Sequence, residues 1–164
     1  MRTMAEHLGP GVTEESVNKL LETLVKHFEE FLELFFKTQE ELVERLKTLE
    51  EISEEQRERH LRYYEEEAAQ NKEITEELIK QGIPKEFIVQ RLLFHLFDGD
   101  PNDPEFTKFT QEFMKKVEEA KSDEEIWELF KEEVPKFYID YRLRTIVEYP
   151  NTVGHPWSVG EHKK

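Results

Sequence analysis

Cysteine is absent from this chain, so it can form neither a disulfide nor a thiolate metal site, and a reducing, cytoplasmic setting suits it. Basic charge is in deficit: 23 Lys and Arg face 38 Asp and Glu, a net charge of −15. Such a surface repels a phosphate backbone and an anionic bilayer alike, and no basic patch interleaved with aromatics offsets it. We therefore expect neither a nucleic-acid nor a membrane partner. Uninterrupted apolar runs reach only a few residues, and the N-terminus carries no signal-peptide core. Aspartate is scarce too. It stands at positions 98, 100, 103, 123 and 140 only, so 38 − 5 = 33 of the acids are Glu. Glu suits helix interiors and Asp suits caps and turns, so the imbalance alone points to helix.

What is present is an apolar stripe at helical spacing. Val17, Leu20, Leu21, Leu24, Phe28, Phe31, Leu32, Phe35, Leu42, Leu46, Leu49 and Ile52 recur every three or four residues, with Glu and Lys opposite. No Gly or Pro interrupts them, which predicts one amphipathic helix over 13–52, roughly 60 Å long. Ser53 with Gln56 is a capping box that opens a second long helix, with Gly82 as its left-handed stop. Pro84 suits the first turn of a third helix, ending before Asp98-Gly99-Asp100-Pro101. Asp103-Pro104 opens a fourth, with Phe106, Phe109, Phe113 and Val117 on one face. Ser122 and Glu125 form a second capping box for a fifth, which Pro135 should break or kink. Phe137, Ile139, Tyr141, Leu143 and Val147 alternate as in a strand, but no second strand is available to pair with it, so a helix restarted at Pro135 is preferred.

The expected fold is all-α: a helical bundle built on a long helical hairpin with three or four shorter helices. Residues 1–12 form an irregular lead-in, 13–148 a single helical domain, and 149–164 an irregular tail that docks on the bundle. At 164 residues the chain is large enough for one real core.

No catalytic, metal or nucleotide motif stands out, so candidate residues come from local violations of the pattern. The inward stripe of the second helix should run Leu61, Tyr64, Ala68, Asn71, Thr75, Leu78, and Asn71 and Thr75 are polar where packing wants apolar groups. Either that helix meets water there, or a cavity with placed polar groups receives them. His27, His60 and His95 lie on or beside apolar faces and could ligate haem or a metal. Paired-ligand spacing is missing, however, so no metal ligand is assigned and any cofactor is left unknown. The third helix is apolar nearly all round yet carries Arg91, which requires an internal carboxylate or an anionic ligand, with Arg142 or Arg144 available to help receive that ligand. The 98–103 loop resembles the start of a calcium loop but has Asp103 where Gly is needed and Phe109 where Glu is needed, so it reads as an acidic turn. In the tail, Val153, His155, Trp157 and Val159 suit docking on the core, or His155 and Trp157 closing a pocket.

The Glu/Lys surfaces, repeated capping boxes and lack of cysteine, plainest in Ser122-Asp123-Glu124-Glu125-Ile126-Trp127, resemble computationally designed or redesigned helical proteins. That resemblance implies that residues kept for function would sit among the local violations. Two functional expectations follow. The first is a non-catalytic helical scaffold or binding protein, self-associating as a homodimer through the 13–52 helix, whose Phe36 and Val43 widen the stripe. The alternative is a small-molecule or cofactor site inside the bundle (haem, metal or an anionic ligand), which would leave open whether the chain is an enzyme. Arg91, His95, His60, Tyr64 and Asn71 would supply its polar contacts and His155 and Trp157 its mouth.

Overall fold

The computed structural model describes residues 3–156, and over these the chain is all-helical. Its elements are α1 (Met4–Leu8), α2 (Glu14–Lys26), α3 (Phe28–Lys47), α4 (Glu54–Lys80), α5 (Lys85–Leu96), α6 (Pro104–Glu119) and α7 (Asp123–Glu148). No strand occurs among the described residues, and 137–148 is helix.

Local chemistry accounts for most boundaries. The Thr13 hydroxyl accepts from the Ser16 amide to start α2. Ser53 and Gln56 form the full reciprocal box at the start of α4, each side chain accepting the other's backbone N–H. At α7 the box is only half built: Ser122 accepts from Glu125, but the Glu125 carboxylate reaches one residue further back, to the Lys121 amide. Gly82 takes φ +77° and lets the chain turn from α4 into α5, where an L side chain would be strained.

Three expectations change. Residues 1–12 are not irregular throughout: Met4–Leu8 form the short α1, capped by the Thr3 hydroxyl, which accepts from the Glu6 amide. The 13–52 helix is not one rod: it is interrupted at His27 and ends at Lys47. The His27 backbone leaves helical geometry at φ −107°, ψ 34°, while its ring Nδ1 lies 3.0 Å from the Thr23 carbonyl and stacks on Trp127. The Thr23 carbonyl thus receives both the His27 amide, at 3.1 Å, and the His27 ring, and the joint lets α2 and α3 take different partners. Conversely, Pro135 neither ends nor restarts a helix. Residues 123–148 form one α7 with Pro135 inside it. The helix survives the missing donor because its flanking turns are anchored in the core by Phe130, Val134, Tyr138 and Ile139, all buried.

The core lies where α2 packs on α5, α6 and α7 while α3 packs on α4 and α7. Phe31, Phe35, Phe97, Phe113 and Phe130 fill it and are almost wholly removed from water. Each such side chain contributes on the order of 1.5–3 kcal/mol relative to exposure. Within the stripe, Val43 is buried and Phe36 half-buried against the chain's own helices. Among the described residues the large apolar side chains that face outward are Ile74, Ile79 and Phe87, at the α4–α5 corner.

Candidate functional site

Where α4, α5 and α7 meet, the apolar core gives way to a row of polar side chains. α4 contributes Tyr63, Tyr64, Glu67, Asn71 and Thr75; α5 contributes Arg91 and His95; Asp98 follows α5, and α7 contributes Tyr138 and Arg142. Helical periodicity explains the row, because residues three or four apart share a face. Glu67, Asn71 and Thr75 follow at steps of four on α4, as do Arg91 and His95 on α5.

Two histidine–carboxylate pairs frame the junction. His95 Nε2 lies 3.0 Å from Glu67 Oε1, and His155 Nε2 lies 2.8 Å from Asp98 Oδ2. In each, the ring N–H donates to the carboxylate. The Tyr138 hydroxyl, at 3.3 Å, and the Gln39 amide, at 3.4 Å, flank the same nitrogen of His95. The Tyr63 hydroxyl donates to Glu67 from the other side. Burial alone pushes the Glu67 carboxyl up, but the His95 contact, the Tyr63 hydrogen bond and the Arg142 charge together hold it below the ordinary value. Asp98 behaves alike: burial raises it, while His155, Arg142 and His7 outweigh burial and bring it down.

Between the pairs stands Arg142, only 2% exposed and the largest fully buried side chain. Its Nη2 donates to the Asp98 backbone carbonyl at 3.2 Å and lies 3.1 Å from His155 Nε2; its guanidinium carbon sits 5.4 Å from the Tyr138 ring centroid. It also donates to the Tyr64 hydroxyl. Burial opposes the Arg142 charge, but the Tyr64 and Tyr138 oxygens and the Asp98 and Glu67 carboxylates more than offset that penalty. Desolvation pushes the hydroxyls of Tyr64 and Tyr138 up, so both stay protonated.

The tail completes the junction. Pro150 presents its carbonyl to His60 Nε2 at 2.7 Å, Asn151 accepts from Gln56 at 2.9 Å, and Gly154 passes over Tyr63 with φ +93°. A Cβ at Gly154 would come within 3.2 Å of the Tyr63 hydroxyl, so the backbone needs glycine to lie that close.

Of the candidates read from sequence, His95, Tyr64, Asn71, Arg91 and His155 belong to this junction. Asn71 and Thr75 are buried as the helical stripe requires. Arg91 is a correction in degree: it is half-buried at the edge of α5 and donates to Asn71 Oδ1 at 3.4 Å, while the fully buried arginine is Arg142. Its neighbours Ile88, Val89, Leu92 and Leu93 take the core-facing side of α5 and turn Arg91 toward α4. His60 is buried but holds the tail rather than joining the junction, and His27 serves the α2–α3 joint. Trp157 lies outside the described residues. Glu67, Tyr63 and Tyr138 do not stand out in the sequence, and Asp98 reads there only as part of the 98–103 turn; the available signal is spacing, with Tyr63, Glu67 and Asn71 at steps of four, Tyr138 four before Arg142 and Asp98 three after His95.

No three His, Asp or Glu side chains converge in a metal-binding group among the described residues. The 98–103 loop spends its acids on protein partners: Asp98 on His155, and Asp103 on Arg144 and the Glu105 amide. A groove between α2 and the start of α5, lined by Leu21, Val25, Glu22 and Glu86, contains none of the junction residues.

His60 gives a pH prediction. Its Nε2–H is used by Pro150, its Nδ1 is buried without a partner, and desolvation lowers its pKa. A folded-state value below the unfolded one means that stability is full above about pH 6.5 and falls as pH drops through that range. The lowered Glu67 and Asp98 act later, with stability lost as pH falls below about 4. Urea unfolding at about pH 7.5, 5.0 and 3.0 should show loss in both intervals. In His60→Leu the upper loss should shrink; an unchanged profile would contradict the assignment.

No family model matches this sequence, and neither a curated protein nor a solved structure matches it.

Proposed function

We propose that this chain is a helical binding protein whose small-molecule site is the α4–α5–α7 junction. The observation that carries the reading is a fully buried guanidinium bracketed by two histidine–carboxylate pairs in an otherwise apolar bundle. Such a cluster stabilises a fold less than well-packed apolar residues of the same volume would. Polar groups arranged this way can receive a ligand's donors and acceptors, and each oriented imidazole can hold or pass a proton.

The test is a fragment titration followed through the ring resonances of His95 and His155. At least one chemical class should shift both, while His27, stacked on Trp127, stays still. Replacing one pair with apolar residues, as Glu67→Leu with His95→Phe, should leave the melting temperature unchanged or raised and abolish the shifts. A lowered melting temperature with no fragment bound would make the pair structural and remove the proposal.

Self-association is a second reading and draws on a different observation. Ile74, Ile79 and Phe87 face outward, whereas Phe36 and Val43 are engaged within the chain. We propose the α4–α5 corner, not the α3 stripe, as the contact between copies. Sedimentation at micromolar concentration should then show a dimer that Phe87→Glu converts to monomer; a monomeric parent chain would refute it.

A further inference from the structure

The α4–α5 seam has a regular register. Glu67 faces His95 and Asn71 faces Arg91, a step of four residues on each helix in opposite directions. One further step of four along each helix leads to Thr75 on α4 and Phe87 on α5. Hydrogen bonding along this seam is complete at the Glu67 end and unfinished at the other. Asn71 is 6% exposed and Thr75 1% exposed, yet Asn71 Nδ2 and Thr75 Oγ1 have no partner. A buried polar group left in that state is costly and rare in native proteins. Arg91 beside them forms no ion pair among the described residues; its one hydrogen bond is the 3.4 Å contact with Asn71 Oδ1. In a chain with 38 acids, a half-buried guanidinium without a carboxylate is an exception.

The unused groups share one chemistry. The Arg91 N–H groups, the Asn71 amide N–H₂ and the Thr75 hydroxyl all can donate, so the complementary ligand group is an acceptor, and beside a cation it is an anion. One guanidinium fork matches one carboxylate in charge and shape, whereas a phosphate dianion would bring a second charge with no counter-ion at this place. At the outer end of the same seam, Ile74 is 39% and Phe87 61% exposed. They lie three residues past Asn71 and four before Arg91, within one turn of the donors.

We propose that the α4–α5 seam binds a carboxylic acid with an apolar body, its carboxylate received by Arg91 and Asn71 and its body covering Ile74 and Phe87. This rests on the reading of the chain as a small-molecule binder and names the ligand class. The ligand would supply the acceptor that the buried donors lack and would cover apolar surface that now faces water.

The probes are octanoate and, as its neutral counterpart, octan-1-ol, titrated calorimetrically into the full chain at 0.15 M salt, where long-range repulsion from the acidic surface is screened. Octanoate should bind at least tenfold more tightly than octan-1-ol. Arg91→Met should weaken octanoate at least tenfold while leaving the melting temperature of the free protein unchanged or raised; the exposed Arg62→Met should leave binding unaltered. Phe87→Ala should weaken octanoate and leave acetate unaffected. If Arg91→Met does not fold, Arg91→Lys keeps the charge but loses the fork, and it too should weaken octanoate. Equal binding of octanoate and octan-1-ol, or octanoate binding that survives Arg91→Met, would overturn the carboxylate assignment. Failure of octanoate alongside neutral or cationic fragments that shift His95 would overturn the ligand class and leave the small-molecule reading standing. No fragment of any class shifting His95 or His155 would overturn both. A dimer that Phe87→Glu dissociates, in a protein to which octanoate does not bind, would assign the face to a second copy.

Discussion

Arg142→Ala should lower the melting temperature by roughly 6–20 °C, the largest effect expected of any single change. Removing one member of a buried charge cluster costs about 3–5 kcal/mol, and each kcal/mol shifts the midpoint of a chain this size by about 2–4 °C. The loss has identifiable parts. The Asp98 carbonyl loses its donor, the Tyr64 hydroxyl loses its partner, and the Glu67 and Asp98 carboxylates each lose the nearby Arg142 charge. Arg142→Met keeps the stem and separates charge from volume. If the guanidinium holds the cluster together, Met should be nearly as damaging as Ala. If the charge is retained for a ligand, Met should recover most of the stability and lose binding. A drop below about 1 kcal/mol for Ala would mean that the site relaxes and admits water, against the burial described here.

Gly99→Ala should destabilise by about 1–3 kcal/mol, as overpacking of a close-packed interior does. The reason is space rather than backbone conformation. A Cβ built on Gly99 would come within 2.3 Å of Cδ1 of Phe106, a ring that is itself buried and packed against Tyr141 with centroids 5.8 Å apart. A ring held on both sides cannot withdraw as a flexible side chain can, so the loop must move, and with it Asp98 one residue earlier. The expected readouts are a melting temperature lower by roughly 2–12 °C and a changed His155 ring resonance as its carboxylate partner shifts. Phe106→Leu in the same chain should recover part of the loss, a non-additivity expected only of residues in contact. Independent, additive effects would argue against the contact.

The sequence alone determined what depends on neighbours along the chain. Capping at Ser53 and Gln56, the Asp103-Pro104 start, the Gly82 stop and the Glu-rich helical bias are local chemistry, and each operates at its expected position. The apolar stripe likewise fixed which residues of α2, α3 and α6 turn inward, because a period near 3.6 is a property of one helix. Tertiary structure decided the rest. Pro135 stays within a helix because core contacts on both sides outweigh one missing hydrogen bond, a balance no local rule contains. Glu67 is one of 33 glutamates, and only the approach of α5 gives it a histidine. α7 buries residues around most of its circumference, so no polar face marked Arg142 as the buried arginine, whereas the apolar surroundings of Arg91 in sequence pointed there instead. His95, Tyr64, Asn71 and His155 could be singled out because each breaks a local pattern. Their partners could not, because a charged residue on a helix is unremarkable until the fold removes its water.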